Sequence, residues 1–487
     1  MDAARLEGRT GLALVVAALV GCTAGLVRGV RSGPLWLDET ISVEIARLPL
    51  GQLHDALRVD GAPPLYYLLL KAWITAFGAG TTAVRLLTVL MVPAALWLSY
   101  VLGRRLGGVA LGRAAVVVLA TLPWFARYGS ETRMYLLVVV LVLCGGLALR
   151  GVHATGSRRA VVALGVVSGL LLLTHYWALF LLAAVGLLHL PGLVRRRGPS
   201  VRVVAGLVLG GVLFLPWLPT FLFQAARTGA PWADPLQPVE LLRTPRYWGG
   251  GSDLERGVVG VLLVALVLVG VQRRPPARVV AAVAGLTLLL AWAAVLVGGG
   301  AYTGRYTAVV VPLVALAAGA GALALPGRWT PVAALVVLGA VGLSSGIPAA
   351  GVPRASADGV VQAFRAGGGE PGDLLAYCPD QLGPPVWRLL EDRDAVEQVV
   401  YPTLGDPRRV DWVDYRERQD AASPAAVAAE LDALAGERGL WVLAATEYRT
   451  FEGHCEQLLT TLSSLRGEPA PLFGDPRSTG QVLYRFG

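Results

Sequence analysis

Apolar runs long enough to cross a bilayer recur about every 25–40 residues through the first 350 positions of the chain. Crossing about 30 Å of hydrocarbon takes about 20 residues of helix, and in lipid the backbone polar groups must be satisfied internally. The runs are rich in Leu, Val, Ala and Gly and lack the ten-residue alternation of a membrane β-barrel. They predict a polytopic α-helical membrane protein. Only 15% of the 487 residues are charged, against about 25% in soluble chains.

Eleven spans are expected: 11–30, 83–102, 110–126, 134–150, 160–174, 177–191, 201–220, 257–272, 277–298, 305–324 and 330–348. No small-residue cleavage site follows the first run, so it reads as an anchor. Lys71 is the single lysine, and the net charge of +9 comes from arginines in short loops between runs. These are topology signals and do not indicate nucleic acid as a partner. With eleven spans, the loops bearing Arg104, Arg105 and Arg113, then Arg150, Arg158 and Arg159, then Arg195, Arg196, Arg197 and Arg202, then Arg273, Arg274 and Arg278, all fall on one side with the N-terminus. By the positive-inside rule that side is cytoplasmic. The apolar segment 63–78 is short for a span, and crossing would invert every later loop. It reads as a helix at the outer interface, with Tyr66, Tyr67 and Trp73 as interfacial aromatics.

From about Ala349 charges rise and apolar runs shorten to strand length. Strands are expected at 374–377, 396–401, 440–445 and 481–486, and helices at 357–366, 381–392, 424–436 and 448–465. The alternation predicts a small α/β domain. The division is thus a membrane domain over 1–349, with a first outer loop at 31–82, and an extracytoplasmic domain over 350–487. Outside the cytoplasm, Cys378 and Cys455 could pair; Cys22 and Cys144 lie in apolar runs.

The polar residues of the expected outer loops are the candidates for chemistry. Asp38 and Glu39 follow the first span. A charged group at the bilayer centre costs roughly 2.5–3.5 kcal/mol on insertion scales, so such a pair belongs in a watered cavity. Glu44 and Asp60 share the loop, and the turn at Pro63-Pro64 could direct Asp60 toward Asp38. The next outer loop carries Arg127, Tyr128, Glu131, Arg133 and Tyr135, a third carries His175 and Tyr176, and a fourth carries Tyr302, Arg305 and Tyr306. Arginine suits bidentate capture of phosphate, which singles out Arg133, Arg305, Arg58 and Arg127. Asp60, Glu131, Tyr135, His175, Tyr176 and Tyr66 would line the substrate cavity. The set suits a substrate with a lipid tail, a phosphate and a polar head. Its chemistry would be attack of an acceptor hydroxyl on the carbon bearing the phosphate, with Asp38 as base and an arginine stabilising the departing phosphate. No cofactor is indicated by motif. His/Cys ligand spacing is absent, although Asp38, Glu39 and Asp60 could hold a divalent metal ion.

Four features together resemble the membrane glycosyltransferases of the GT-C class, in particular family 39, the protein O-mannosyltransferases and the bacterial aminoarabinose transferases. They are Leu37-Asp38-Glu39 after the first span, Asp60 through Pro63-Pro64-Leu65-Tyr66-Tyr67, Phe77-Gly78 followed by Val84-Arg85-Leu86, and Arg127-Tyr128-Gly129 through Arg133-Met134-Tyr135. The resemblance covers roughly residues 10–320. It implies a GT-C fold and a polyprenyl-phosphate sugar donor, with mannose or an arabinose-like sugar transferred with inversion. It further implies Asp38 as base, Glu39 in support and outer-loop arginines on the phosphate. Many relatives carry Lys or His immediately before the Pro-Pro; Ala62 stands there, so Arg58, Arg133 or Arg305 would substitute. The acceptor could be a glycan, a lipid or a protein, at the outer face of the cytoplasmic membrane. The alternative is a transporter or flippase of lipid-linked glycans, but the sequence lacks the two-fold internal repeat expected of one.

Overall fold

The computed structural model describes residues 4–230, 233, 235–390, 395–446, 451–475 and 480–487. They fall into two units. One comprises residues 1–32, 62–221 and 235–352; the other comprises 33–61, 222–234 and 353–487.

The first unit is helical. Each of the eleven predicted spans overlaps a helix. Among the described residues, seven helical stretches are long and apolar enough to cross a membrane: Arg9–Val30, Thr81–Thr121, Tyr135–Thr155, Gly198–Arg227, Asp253–Arg273, Pro275–Gly298 and Thr330–Ala350. The difference from eleven has a local cause. Arg158–Leu172, Ala178–Val194 and Val311–Ala322 are shorter helices. The predicted spans 83–102 and 110–126 share one continuous stretch, broken at Gly107 and Gly108, whose φ of 85° few other residues adopt. There the chain doubles back on itself. A Cβ on Gly103 would fall 2.9 Å from the Gly112 Cα, and one on Gly112 would fall 2.7 Å from the Tyr100 carbonyl oxygen, so glycines let the two halves pack backbone to backbone.

The segment predicted to lie at the interface is a helix, Leu65–Phe77. Tyr66 and Tyr67 are fully buried, however, and do not form an exposed aromatic belt. The Leu65 amide donates to the Leu173 carbonyl at 2.9 Å, tying this helix to the end of Arg158–Leu172. Arg85 is buried and donates to the Val30 carbonyl at 3.1 Å.

The second unit contains a five-stranded sheet: β1 Leu374–Cys378, β2 Glu397–Val400, β3 Leu440–Ala445, β4 Ala470–Asp475 and β5 Gln481–Phe486, in the order β2-β1-β3-β5-β4. β2, β1 and β3 are parallel, whereas β5 is antiparallel to both β3 and β4. Every residue of β1 and β3 is buried, the pattern of parallel strands covered on both faces. Val360, Val361 and Phe364 of helix Ala357–Ala366 pack on Leu375, Tyr377 and Trp441. Cys378 and Cys455 form a disulfide. The predicted helix 381–392 is observed as Gly383–Leu389, and positions 391 and 392 lie outside the described residues. The predicted helix 448–465 is observed as His454–Arg466; its first three positions also lie outside them.

The division of the chain differs from the sequence-based one in two internal segments, 33–61 and 222–234. Residues 33–61, drawn from sequence with the membrane domain, belong to the same unit as the C-terminal sheet. The reason is specific pairing. The Trp412 amide donates to the Val59 carbonyl at 3.2 Å, and Glu44 pairs with Arg388 at 2.9 Å. Residues 222–234 join them: the Asp414 amide donates to the Arg227 carbonyl at 2.8 Å, and the Arg227 guanidinium pairs with the Asp414 carboxylate.

Candidate functional site

The sequence-predicted residues divide between the units. Asp38, Glu39, Arg58 and Asp60 belong to the second, whereas Tyr66, Arg127, Glu131, Arg133, Tyr135, His175, Tyr176 and Arg305 belong to the first.

In the first unit, three loops predicted from polarity alone converge. Ser130–Arg133 bends between helices Pro123–Gly129 and Tyr135–Thr155, His175 sits in the turn between Leu172 and Ala178, and Arg305 precedes the short turn Tyr306–Val309. The joining contacts are aromatic. The His175 ring lies 5.0 Å from the Tyr306 ring and 6.1 Å from the Tyr135 ring, centroid to centroid. Tyr128 packs edge-on to Tyr135 at 5.1 Å, and Trp177 stands 5.7 Å from Tyr306. Such ring pairs add about 0.5–1.5 kcal/mol beyond area burial. Trp124 Nε1 donates to the Gly304 carbonyl at 2.7 Å, pinning the Arg305 loop against Pro123–Gly129.

Two guanidinium groups face His175. Burial, aided by Arg133 and Arg305, pushes its imidazole down to about 3, because a third positive charge would be desolvated beside two others. The ring is therefore neutral near pH 7. Its Nδ1 accepts from the Trp177 amide at 3.2 Å, which leaves the proton on Nε2. The result is a partly buried arginine pair, a neutral imidazole donor and an aromatic wall, well suited to an anion. Arg127 is engaged differently. Its guanidinium donates to the Ala349 and Val352 carbonyls at 3.3 and 3.0 Å and pairs with Glu131 at 3.0 Å, clamping the end of helix Thr330–Ala350. The Tyr176 hydroxyl accepts from Trp217 Nε1 at 2.9 Å.

In the second unit, Asp38 and Glu39 open the helix Leu37–Arg47. The Trp36 amide donates to the Glu39 carboxylate at 3.4 Å, so the fully buried Glu39 helps to cap the helix. Asp38 is half-buried in the first turn of the helix. One turn on, the Ser42 hydroxyl donates to the Asp38 carbonyl at 2.6 Å. Glu44 accepts from both Arg388 and Arg47, at 2.9 and 3.2 Å. The Arg354 guanidinium lies 4.5 Å from the centre of the Trp36 ring.

Asp60 ends helix Leu50–Asp60, and Gly61 follows with φ 82°. Asp60 lines a cavity of about 410 Å³ with Gln52, Asp55, Asp406, Arg409 and Asp411. Asp38, Glu39 and Asp60 do not gather into a metal-binding group, and no such group of three or more occurs among the described residues. Arg58 stacks on Phe223, its guanidinium 3.7 Å from the ring centroid.

No protein-family model matches the chain, and no curated protein matches it by sequence. Solved structures do match. ArnT from Cupriavidus metallidurans bound to undecaprenyl phosphate superposes with a TM-score of 0.59 at 16% identity, over 98% of each chain. The Archaeoglobus fulgidus oligosaccharyltransferase tethered to an acceptor peptide gives 0.57 at 10% identity, over 99% of this chain and 75% of the other. Arabinofuranosyltransferase AftD from Mycobacteria gives 0.52 at 14% identity, over 97% and 40%. The chain has the fold of these proteins. The likeness runs through both the helical unit and the C-terminal sheet, and it agrees with the GT-C resemblance at the level of fold. At these identities it assigns no residue a role.

Proposed function

We propose that the chain transfers a sugar from a polyprenyl-phosphate donor to an acceptor hydroxyl at the outer face of the cytoplasmic membrane. The observation that carries this reading is the convergence of Arg133 and Arg305 on the neutral His175 inside an aromatic wall. It is an anion site in a membrane protein whose fold is shared with ArnT bound to undecaprenyl phosphate. Asp38 acts as general base and removes the proton from the acceptor hydroxyl. The hydroxyl oxygen attacks the anomeric carbon from the face opposite the phosphate, the carbon–oxygen bond to phosphate breaks, and the configuration inverts. Arg133 and Arg305 hold the phosphate as its negative charge develops, and the His175 Nε2–H adds a neutral donor. Glu39 keeps the helix start that presents Asp38. A mannose or arabinose-like sugar fits the resemblance.

The orientation in this reading places the N-terminus in the cytoplasm, because the arginine loops then obey the positive-inside rule. The Cys378–Cys455 disulfide supports an oxidising, extracytoplasmic home for the sheet.

The test uses purified full-length protein, radiolabelled polyprenyl-phosphate sugars and an envelope acceptor fraction. Wild type should transfer label. The R133Q/R305Q double variant should lose about 10²–10³-fold in rate. Wild-type transfer undiminished by that variant would remove the arginines from the mechanism.

A further inference from the structure

The helical unit holds a largely apolar cavity, of about 820 Å³, at the arginine-rich end of its helices. Its interior is hydrocarbon, formed by residues such as Val142, Leu164, Leu171, Leu181, Val185 and Val283. Its mouth carries Arg150, His153, His189 and Arg278. His189 Nδ1 donates to the Val185 carbonyl at 2.7 Å, and its Nε2 lies 3.0 Å from His153 Nε2. Arg150 is steadied by Nε donating to the Arg105 carbonyl at 3.2 Å. Arg278 is steadied by Nε and Nη2 donating to the Val271 and Gln272 carbonyls at 2.8 and 2.9 Å. Two fixed guanidinium groups thus stand at the rim of an apolar chamber, and no Asp or Glu among the described residues lines it.

We infer that this cavity binds an anionic membrane phospholipid, with the phosphate at Arg150 and Arg278 and an acyl chain in the chamber. Three observations argue for a lipid. The charge at the mouth is positive and uncompensated by acid, the chamber is apolar, and Leu188 and Val279 at its edge are 44% and 62% exposed on apolar helices. The site is distinct from the Arg133/Arg305 site. Tyr135 of that site and His153 of this one lie 18 residues apart on one helix, about 27 Å at 1.5 Å per residue. That is close to the full hydrocarbon thickness, so this headgroup belongs to the opposite leaflet. The inference stands independently of the transfer reaction.

Native mass spectrometry of the delipidated full chain, titrated with phosphatidylglycerol or phosphatidylcholine of identical chains, tests it. Two arginines at about 1 kcal/mol each predict about a 30-fold preference for phosphatidylglycerol. The R150Q/R278Q variant should abolish the preference while retaining the wild-type helical circular dichroism. Leu182→Trp, which fills the chamber and leaves both arginines, should weaken phosphatidylglycerol binding. Equal binding of the two lipids by wild type, or a preference surviving in R150Q/R278Q, would overturn the inference. So would full competition by inorganic phosphate, which would mark a site for soluble anions.

Discussion

Glu44 and Arg388 form an ion pair at 2.9 Å with side-chain exposures of only 8% and 14%, joining helix Leu37–Arg47, which carries Asp38 in its first turn, to helix Gly383–Leu389. The C-terminal domain is therefore part of the support of the acidic helix and more than an appendage. Removing Arg388 takes from the largely buried Glu44 one of its charged partners and leaves it Arg47 at 3.2 Å, at about 1.5–3 kcal/mol, the range for a hydrogen bond to a charged group. Arg388→Met should lower the thermal midpoint and raise hydrogen exchange across 37–47. The Glu44→Leu, Arg388→Met double variant should recover part of the lost stability. Unchanged exchange in Arg388→Met would deny the pair its positioning role.

Asp38→Asn should reduce kcat by about 10²–10⁴-fold, the range for loss of a general base. The fold should survive, because asparagine has nearly the shape of aspartate and keeps the backbone carbonyl that accepts from the Ser42 hydroxyl at 2.6 Å. Kinetics with labelled donor, paired with circular dichroism, check it. Unchanged kcat would take Asp38 out of the reaction.

His175 gives the helical unit an acid-sensitive stability. In the unfolded chain the ring takes a proton below about its ordinary 6.5; in the fold it resists until about 3. The unfolded state binds the extra proton between these values, so stability falls as pH drops from about 6.5 toward 3, by at most about 1.4 kcal/mol per unit. Unfolding midpoints against pH should show a shallower acid slope in His175→Asn.

Asp380 produces the opposite slope in the C-terminal domain. Burial raises its carboxyl from 3.8 to about 7, opposed by the hydrogen bond from the Tyr415 hydroxyl and by Arg418. The folded state binds the extra proton between those values. The contribution to stability is thus fully present below about 3.8 and is lost as pH rises through 7. Asp380→Asn should gain stability relative to wild type at pH 8 and little at pH 4, measured by urea unfolding followed with domain-specific exchange.

The Cys378–Cys455 bond closes a loop of 77 residues. Loop-closure entropy gives it about 4 kcal/mol. A Cys378→Ala, Cys455→Ala variant should unfold the sheet at correspondingly lower denaturant while leaving the helical unit in place, as protease sensitivity of the two units would show.

Membrane helices were legible because hydrocarbon thickness writes itself into the chain as long apolar runs. The convergence of 127–135, 174–177 and 302–306 was foreshadowed by polarity, since Arg, His and Tyr between apolar runs need a common wet place. The ring packing of Trp177 and Tyr306 against each other carries no local signal. β4 escaped notice because Pro471, Gly474 and Asp475 spoil its strand pattern; it sits at the sheet edge, where its pairing with β5 shifts register between Pro471 and Phe473. Helix Tyr415–Asp420 is too short and too charged to show an apolar stripe. The membership of 33–61 in the second unit was invisible for a different reason. It rests on pairings such as Glu44 with Arg388, and no periodicity connects residues so far apart.

That long-range pairing imposes a timetable on biosynthesis. Glu44 and Arg388 are 344 residues apart, and at roughly 5–20 residues per second a ribosome needs about 17–70 s to travel from one to the other. Throughout that interval Glu44 has only the nearby Arg47 of its own helix to pair with, and the helix bearing Asp38 exists without Arg388. Its burial is therefore one of the last events of maturation although its residues are among the first made.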